Sequence, residues 1–525
     1  MAVVYKLYQP LWSWQYKFYR STCLLKQIAN TRKIFPLNII ISQNVDICNR
    51  IMNEDISNTE WQSIRENFLQ LEKVTPAVVD STIMDICLQK LHVDNAIRYF
   101  KFLREYNYSL NVGILGKYLR LYCMKHDSLT DMDKAEIVET YNALREKYPY
   151  LDSITAEHCI ISLCLTDQWE RAFELIEMMK LTNSPGTAVY SALASAAFKN
   201  RRPDVAWKAM SAIALRNLIP QTIAYKSYLT YCELEGTAEA FSSRLEEMLK
   251  FWSEYNIVPQ YSIIHMYAST ATKYGWSSAS TIMSNIKCCK HCGHSLSKIT
   301  FNKQNFQELA EFFMNRVIIG SDIYHKTNPN ELNRFKTFIE KTKPYDIVID
   351  GLNLIYIQKN DKSMSQVLKN VIDYFSTHRK KILVLTRKHQ KKLPILNYVQ
   401  QKATVFFIDN LSADDPYILY ATMASGHDAM FVSQDLMRQH KHSLKDIRLQ
   451  QDFTKWQCSH QYLVKKSKPT FYVQEPFIFM PTVQKNNDCW HVPYVSDDCT
   501  STELHEFPKS WYCLKQLQSN RQIKD

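Results

Sequence analysis

A spacing of about 35 residues in the first half of the chain limits its architecture more than any other feature. "TAVYSALASAAFKNRRPDVAWKAMSAIALRNLIPQ" begins at Thr187, and "TIAYKSYLTYCELEG" restarts the Thr-x-x-Tyr pattern at Thr222, 35 residues on. "TAEHCIISLCLTDQWERAFELIEMMKLTNSPG", from Thr155, is a 32-residue version, and a weaker copy surrounds "VDNAIRYFKFLREYN". Each copy reads as two amphipathic helices. Ala96, Ala172 and Ala206 fall at the small position where such helices cross closely. One hairpin cannot bury its apolar face alone, whereas stacked neighbours can. Residues 46–250 are therefore expected to form a helical-hairpin solenoid.

The 35-residue step, and Pro220 closing one unit before the next begins, make these repeats look like pentatricopeptide rather than tetratricopeptide units. In that family each repeat offers a few side chains to one RNA base. On this alignment those positions are Cys159, Ser191 and Lys226; a scaffold that binds protein is the alternative. The formal charge of +12 favours a polyanionic partner, with solubility as the plainer explanation. Only 9 glycines argue against a turn-rich sandwich or barrel. Fourteen scattered cysteines suit a reducing compartment. No apolar run is long enough to span a bilayer, so no membrane partner is expected. Before Asp46 there is no acid, while Lys6, Lys17, Arg20, Lys26, Arg32 and Lys33 lie among aromatics and leucines. Residues 1–45 thus have the composition of a mitochondrial presequence, which predicts the matrix; an ordinary basic helix is the alternative.

From residue 345 the rhythm changes. Short apolar runs, "DIVID", "KILVLT", "TVFFID" and "AMFVS", alternate with helix-like stretches, which argues for a parallel, doubly wound α/β sheet. Ligands of such sheets sit beyond the carboxyl ends of the strands. Asp350 ends the first strand there, where Gly351 lets the backbone turn and Asn353 can reach across. Asp414 and Asp415 follow "TVFFI", and Asp435 follows "AMFVS" and opens a helix. Asp414, Asp415 and Asp435 can each be explained as a helix N-cap; Asp350 caps nothing obvious. Together the four repel one another unless cations are present, and hard oxygen donors suit Mg²⁺ or Mn²⁺. Two such ions about 4 Å apart can activate water and stabilise a leaving oxygen in phosphodiester cleavage. From Tyr374 to Ile408 there is no acid, whereas Arg379, Lys380, Lys381, Arg387, Lys388, Lys391, Lys392 and Lys402 are present. This stretch reads as a phosphate track toward the acids, with Arg387 and Lys388 as RNA contacts, or as a solvated face.

Cys289-Lys-His-Cys292 is a C-x-x-C knuckle without a second copy. Its remaining ligands must come from a distance, and the tail offers His491 and Cys513 for a closed, structural Cys₃His zinc site. Cys288, His291, His294, Cys489 and Cys499 compete for the same role. Residues 251–343 otherwise read as helical, and the chain after 470 as irregular.

"DIVIDGLN", "SADDPYILYATMASG", "VSQDLMRQHKHSL", "CKHCG" and "WHVPY" together, the acidic motifs in this order, resemble the protein-only ribonuclease P family, in particular its animal mitochondrial branch. The resemblance runs from about residue 80 to the C-terminus. Following the presequence read from composition (1–45), it implies an α plus α/β chain: a pentatricopeptide solenoid (46–250), a zinc-bound central region (251–343 and 474–525) and an NYN/PIN-like metallonuclease domain (344–473). The implied reaction is Mg²⁺-dependent removal of the 5′ leader from mitochondrial precursor tRNA, leaving a 5′ phosphate. Asp350, Asp414, Asp415 and Asp435 would hold two Mg²⁺ or Mn²⁺ ions, and Cys289, Cys292, His491 and Cys513 one structural zinc. In this branch the partners are a tRNA methyltransferase and a short-chain dehydrogenase. Gln439 stands where the family usually has an acid, in Asp435-Leu-Met-Arg-Gln-His440. The alternatives are a metal-dependent nuclease on another mitochondrial RNA and a non-catalytic RNA-binding repeat protein.

Overall fold

Ile347–Asp350 are all buried, as expected of a strand covered on both faces. The computed structural model describes residues 37–517 apart from 54–55, 72–73, 91, 126–128, 315–328, 357–360, 410–414, 445, 468–469 and 499–505. The first 36 residues of the expected presequence, and Asp414, lie outside the described residues. The chain divides into two compact units, Met1–Pro185 and Gly186–Asp525, so the expected 46–250 solenoid straddles this boundary.

In the first unit every described element is a helix. Asn58–Leu69, Val79–Gln89, Val93–Glu105, Val112–Met124, Asp131–Lys147, Ser153–Leu163 and Ala172–Lys180 are its longer members. Ser57, Asn111, Thr130 and Asp152 cap four of them by accepting backbone amides. A buried polar triad joins three helices: Arg65 Nε donates to Asp80 Oδ1 at 2.8 Å, and the Tyr99 hydroxyl donates to the same oxygen at 2.6 Å. Ala96 and Ala172 are fully buried, as the repeat pattern requires of a helix crossing.

The second unit begins with five helices: Thr187–Lys199, Pro203–Ala214, Thr222–Glu233, Ala238–Glu254 and Tyr261–Lys273. The two Thr-x-x-Tyr signals mark true helix starts, and Ala206 is fully buried. The hydroxyls of Ser195 and Ser227 meet at 2.7 Å and stitch consecutive hairpins together.

Among the described residues ten strands follow in the same unit: β1 (Trp276–Thr281), β2 (Ile347–Asp350), β3 (Ile382–Arg387), β4 (Thr404–Ile408), β5 (Met430–Val432), β6 (Gln461–Ser467), β7 (Thr470–Gln474), β8 (Gln484–Asn486), β9 (Cys489–Pro493) and β10 (Trp511–Gln516). One sheet has the order β4-β3-β2-β5-β6-β7, parallel except for the last pair. Val348 packs into a core with Phe335, Tyr417 and Trp456, whereas Ile347 and Ile349 face Leu368, Ile372 and Val399. Helices thus cover both faces, and the doubly wound reading holds. The β6–β7 hairpin extends the sheet beyond the four expected strands.

The other sheet, β1-β10-β9-β8, is antiparallel. It corrects two expectations: Trp276–Thr281, in a stretch expected to be helical outside the knuckle, is a strand, and the chain after 470 is not irregular.

Gly351 is needed for a different reason than the expected turn. It starts the helix Gly351–Tyr356, and a Cβ there would lie 2.8 Å from the Leu385 carbonyl oxygen and 2.9 Å from Val384 Cγ1. Gly351→Ala is expected to destabilise the second unit by about 1–3 kcal/mol, as overpacking does. Urea unfolding checks it; an unchanged midpoint would show that β3 yields freely.

Candidate active site and metal centre

Because β2, β3, β4 and β5 are parallel, their carboxyl ends share one edge. Asp350 ends the central strand there, with only 1% of its surface exposed. It accepts the Asn353 backbone amide at 3.0 Å on Oδ1, and on Oδ2 the Ser433 hydroxyl at 3.0 Å and the Asn353 side-chain amide. Contrary to expectation, Asp350 does cap a helix, because Asn353 is the third residue of Gly351–Tyr356. The cap turns the carboxylate and the Asn353 side chain toward the same edge.

Ser433 links two acids. Its hydroxyl donates to Asp350 and accepts the Asp435 backbone amide at 3.0 Å. Gln461 Nε2 donates to the carbonyls of Ser433 and Asp435 at 2.8 and 2.9 Å and holds the turn from behind. Asp435 is exposed and does not open the next helix, which runs Arg438–Ser443. Its Oδ1 accepts the Met437 amide at 2.6 Å, an Asx-turn contact that delays the helix while Met437 takes φ 54°. The capping explanation therefore fails for Asp435. Asp415 is the first residue of the helix Asp415–Ser425, which follows β4 at the same edge and packs against β2. Gln439 is exposed on the helix beyond Asp435. Burial pushes His440 down to about 4 despite nearby Asp435, so it is neutral at neutral pH and cannot offset the acids.

Ser433→Ala removes the link without touching either carboxylate. It is expected to weaken binding of a divalent cation at this edge about ten- to a hundredfold, as loss of a ligand-orienting partner does. A titration with Mn²⁺ followed by its paramagnetic signal checks this; an unchanged titration would show that Ser433 does not orient the acids.

The basic stretch divides between the two edges. Arg379, Lys380 and Lys381 precede β3 and Lys402 precedes β4, so they lie at the amino-terminal edge, away from the acids. Lys381 donates to the Thr342 carbonyl at 2.5 Å, and Lys402 bonds Asp373 at 2.6 Å. A single phosphate track through all eight residues is thereby corrected. Arg387, Lys388, Lys391 and Lys392 are at the acidic edge, with Lys388 paired to Asp409.

Of the three repeat positions, Lys226 is exposed, whereas Cys159 and Ser191 are fully buried. Burial pushes the Cys159 thiol up to about 12, and Ser191 Oγ accepts the Gln221 amide at 3.0 Å. Both hold helices together, and neither side chain is open to a base. The Thr-x-x-Tyr alignment locates helix starts without fixing which face is open.

Cys289, Cys292, His491 and Cys513 converge, with one donor atom of each within 4.8 Å of the others. The β9–β10 register places His491 opposite Cys513. The knuckle turns at Gly293, φ 77°, closed by its amide on the Cys289 carbonyl at 2.9 Å. Burial raises the Cys289 thiol, but the amides of Cys292 and His291 and the Thr281 hydroxyl outweigh it and leave the thiol below its ordinary value. Cys513 is pushed up by burial and by the thiols of Cys289 and Cys292. His491 is lowered to about 4 by burial and by His294, so its ring is neutral. Nδ1 of His491 lies 2.9 Å from Asn486 Oδ1; donating there leaves the Nε2 lone pair facing Cys292 Sγ, 3.2 Å away. Neutral imidazole beside three mutually opposed thiols is a donor set that one soft divalent cation satisfies. Cys513, separated from His491 by an acidic insert, completes the group. Cys288 and His291 belong to no such group among the described residues, and Cys499 lies outside them.

The same unit thus carries carboxylates along the carboxyl edge of a doubly wound sheet and a separate thiol–imidazole cluster that could hold a metal ion. The family model described as "Protein-only RNase P" matches residues 283–513, which include both sites. The chain is 30% identical over 484 residues to the mitochondrial ribonuclease P catalytic subunit of Mus musculus, covering 89% of this chain and 80% of that protein. It is 26% identical over 245 residues to proteinaceous RNase P 2 of Arabidopsis thaliana, covering 43% and 44%. A solved structure of the Arabidopsis thaliana nuclear protein-only RNase P 2 aligns with a TM-score of 0.43 at 16% identity, over 92% of this chain and 100% of that one. The chain belongs to the protein-only ribonuclease P family, whose members are tRNA-processing endonucleases.

Proposed function

We propose that this chain removes the 5′ leader of mitochondrial precursor tRNAs by two-metal-ion phosphodiester hydrolysis, leaving a 5′ phosphate. The observation carrying this reading is the Asp350–Ser433–Asp435 chain of contacts at the carboxyl edge of the sheet. Asp350, Asp414, Asp415 and Asp435 hold the ions, Mg²⁺ or Mn²⁺. When bound, such ions lower the pKa of a water and stabilise the departing 3′ oxygen. The chain's own residues supply position. A rigid strand end and two hydrogen-bonding side chains fix Asp350. Arg387 and Lys388 draw the phosphate backbone toward the acids. Lys226 and the pentatricopeptide helices of 46–250 grip the RNA.

One zinc on Cys289, Cys292, His491 and Cys513 fastens the central region, 251–343 with 474–525, around the NYN-type nuclease domain, 344–473. The acid-free N-terminus directs the protein to the mitochondrial matrix. There it works with a tRNA methyltransferase subunit and a short-chain dehydrogenase subunit, as its animal mitochondrial resemblance implies. The test is incubation with 5′-labelled mitochondrial precursor tRNA and Mg²⁺, with and without both partners. A single cut at the mature 5′ end supports the proposal. Retained RNA binding without a cut, even with partners, would sink it and favour a non-catalytic RNA-binding role.

A further inference from the structure

Beside the Cys₃His group lies a second set of donors that shares one thiol with it and adds two residues that it does not use. Cys292, His294 and Cys489 each offer one donor atom within 4.8 Å of the others, and Cys292 belongs to both sets. Strand geometry explains the approach. Cys489 and His491 are two residues apart on β9 and so point to the same face, while Gly293 turns the knuckle so that His294 follows Cys292 over it. Asp488 stands at the mouth, its Oδ1 3.5 Å from Cys489 Sγ and 4.0 Å from His294 Nδ1. That buried ring nitrogen has no hydrogen-bond partner among the described residues. A buried imidazole nitrogen left unpaired is costly unless something else meets it.

We propose that Cys292, His294, Asp488 and Cys489 bind a second zinc ion, with the Cys292 thiolate bridging it to the zinc of the Cys₃His site. The inference rests on that first site holding zinc, as proposed above. Two thiolates, an imidazole and a carboxylate are donors that zinc accepts in tetrahedral geometry. The charges also balance. A zinc on Cys289, Cys292, Cys513 and His491 leaves a net charge of −1. A second ion adds two positive charges, and Cys489 thiolate and Asp488 add two negative ones. Asp488 now bonds Lys515 at 2.7 Å and its side chain is 53% exposed, so it must exchange a lysine for the metal near solvent. The second ion is therefore the more labile of the pair.

The test is the zinc content of the full-length chain by elemental analysis, after equilibration in buffers of stated free Zn²⁺. The expected result is two zinc ions per chain, the second removed by a mild chelator while the first stays. His294→Gln and Cys489→Ser should each lower second-ion affinity on the order of a hundredfold and leave one ion in place. His294 is partly exposed, so its variant keeps the test open if Cys489→Ser fails to fold. One ion at saturation in the unaltered chain, or the same content in His294→Gln, overturns the proposal. No zinc at all would overturn the first site as well, so the two failures are distinguishable without measuring cleavage.

Discussion

Asp350→Asn is expected to lower single-turnover cleavage of precursor tRNA at least about 10³-fold, equivalent to about 4 kcal/mol of barrier. The substitution keeps the shape and removes the charge. Its oxygen can still accept the Asn353 amide, so the helix cap survives. The Ser433 hydroxyl can rotate and accept from the new amide, and the Asn353 side chain, which now donates to the same oxygen, can flip to present its own oxygen instead. Stability should therefore move by less than about 1 kcal/mol, in either direction, because a buried charge disappears with its hydrogen-bond partners left in place. Melting curves and cleavage rates of the same preparation separate the two effects. A rate within tenfold of the unaltered enzyme at saturating Mg²⁺ would remove Asp350 from the metal site.

The second large effect concerns zinc. Stripping the Cys₃His site with a strong chelator, or replacing Cys513 with alanine, should destabilise the four-stranded sheet by several kcal/mol. Structural zinc in isolated fingers contributes about 10–16 kcal/mol. The loss here is smaller because Trp276, Trp490 and Trp511 bury apolar surface in the same sheet and retain part of its stability. Limited proteolysis should then open the chain near the knuckle, and the thermal transition should fall by several degrees. A metal-free chain that melts and resists protease like the zinc-loaded one would show that the cluster is not structural.

Parts of this architecture were legible because burial leaves a mark in composition. Ile347–Asp350 reads as a strand since both its faces meet apolar neighbours, and the repeat starts read as helices since Ala96, Ala172 and Ala206 must be small. Trp276–Thr281 was missed because "WSSAST" carries no alternation. Its partner, Trp511–Gln516, is more than two hundred residues away, and tertiary pairing overrides weak local preference. Asp350, thought to cap nothing, caps a helix, while Asp435, thought able to cap one, stabilises a turn that postpones it. A capping role and a place at the site coexist in Asp350, so neither explanation excluded the other. Cys159 and Ser191 failed because a repeat period locates helices but not which face of each is covered. Cys489 and His294 were recognisable as candidate ligands, but only the fold reveals that they share Cys292 with the main group.

Cys292 and His491 meet across 199 residues, and the six-stranded sheet lies wholly within that interval. Closing so long a stretch as flexible chain would cost about 5 kcal/mol of entropy. A folded insert that already fixes most of those residues reduces the cost. The six-stranded sheet thus holds the two halves of the thiol–imidazole cluster within reach of one another. Destabilising that sheet is accordingly expected to loosen the thiol–imidazole cluster, far from any substituted residue.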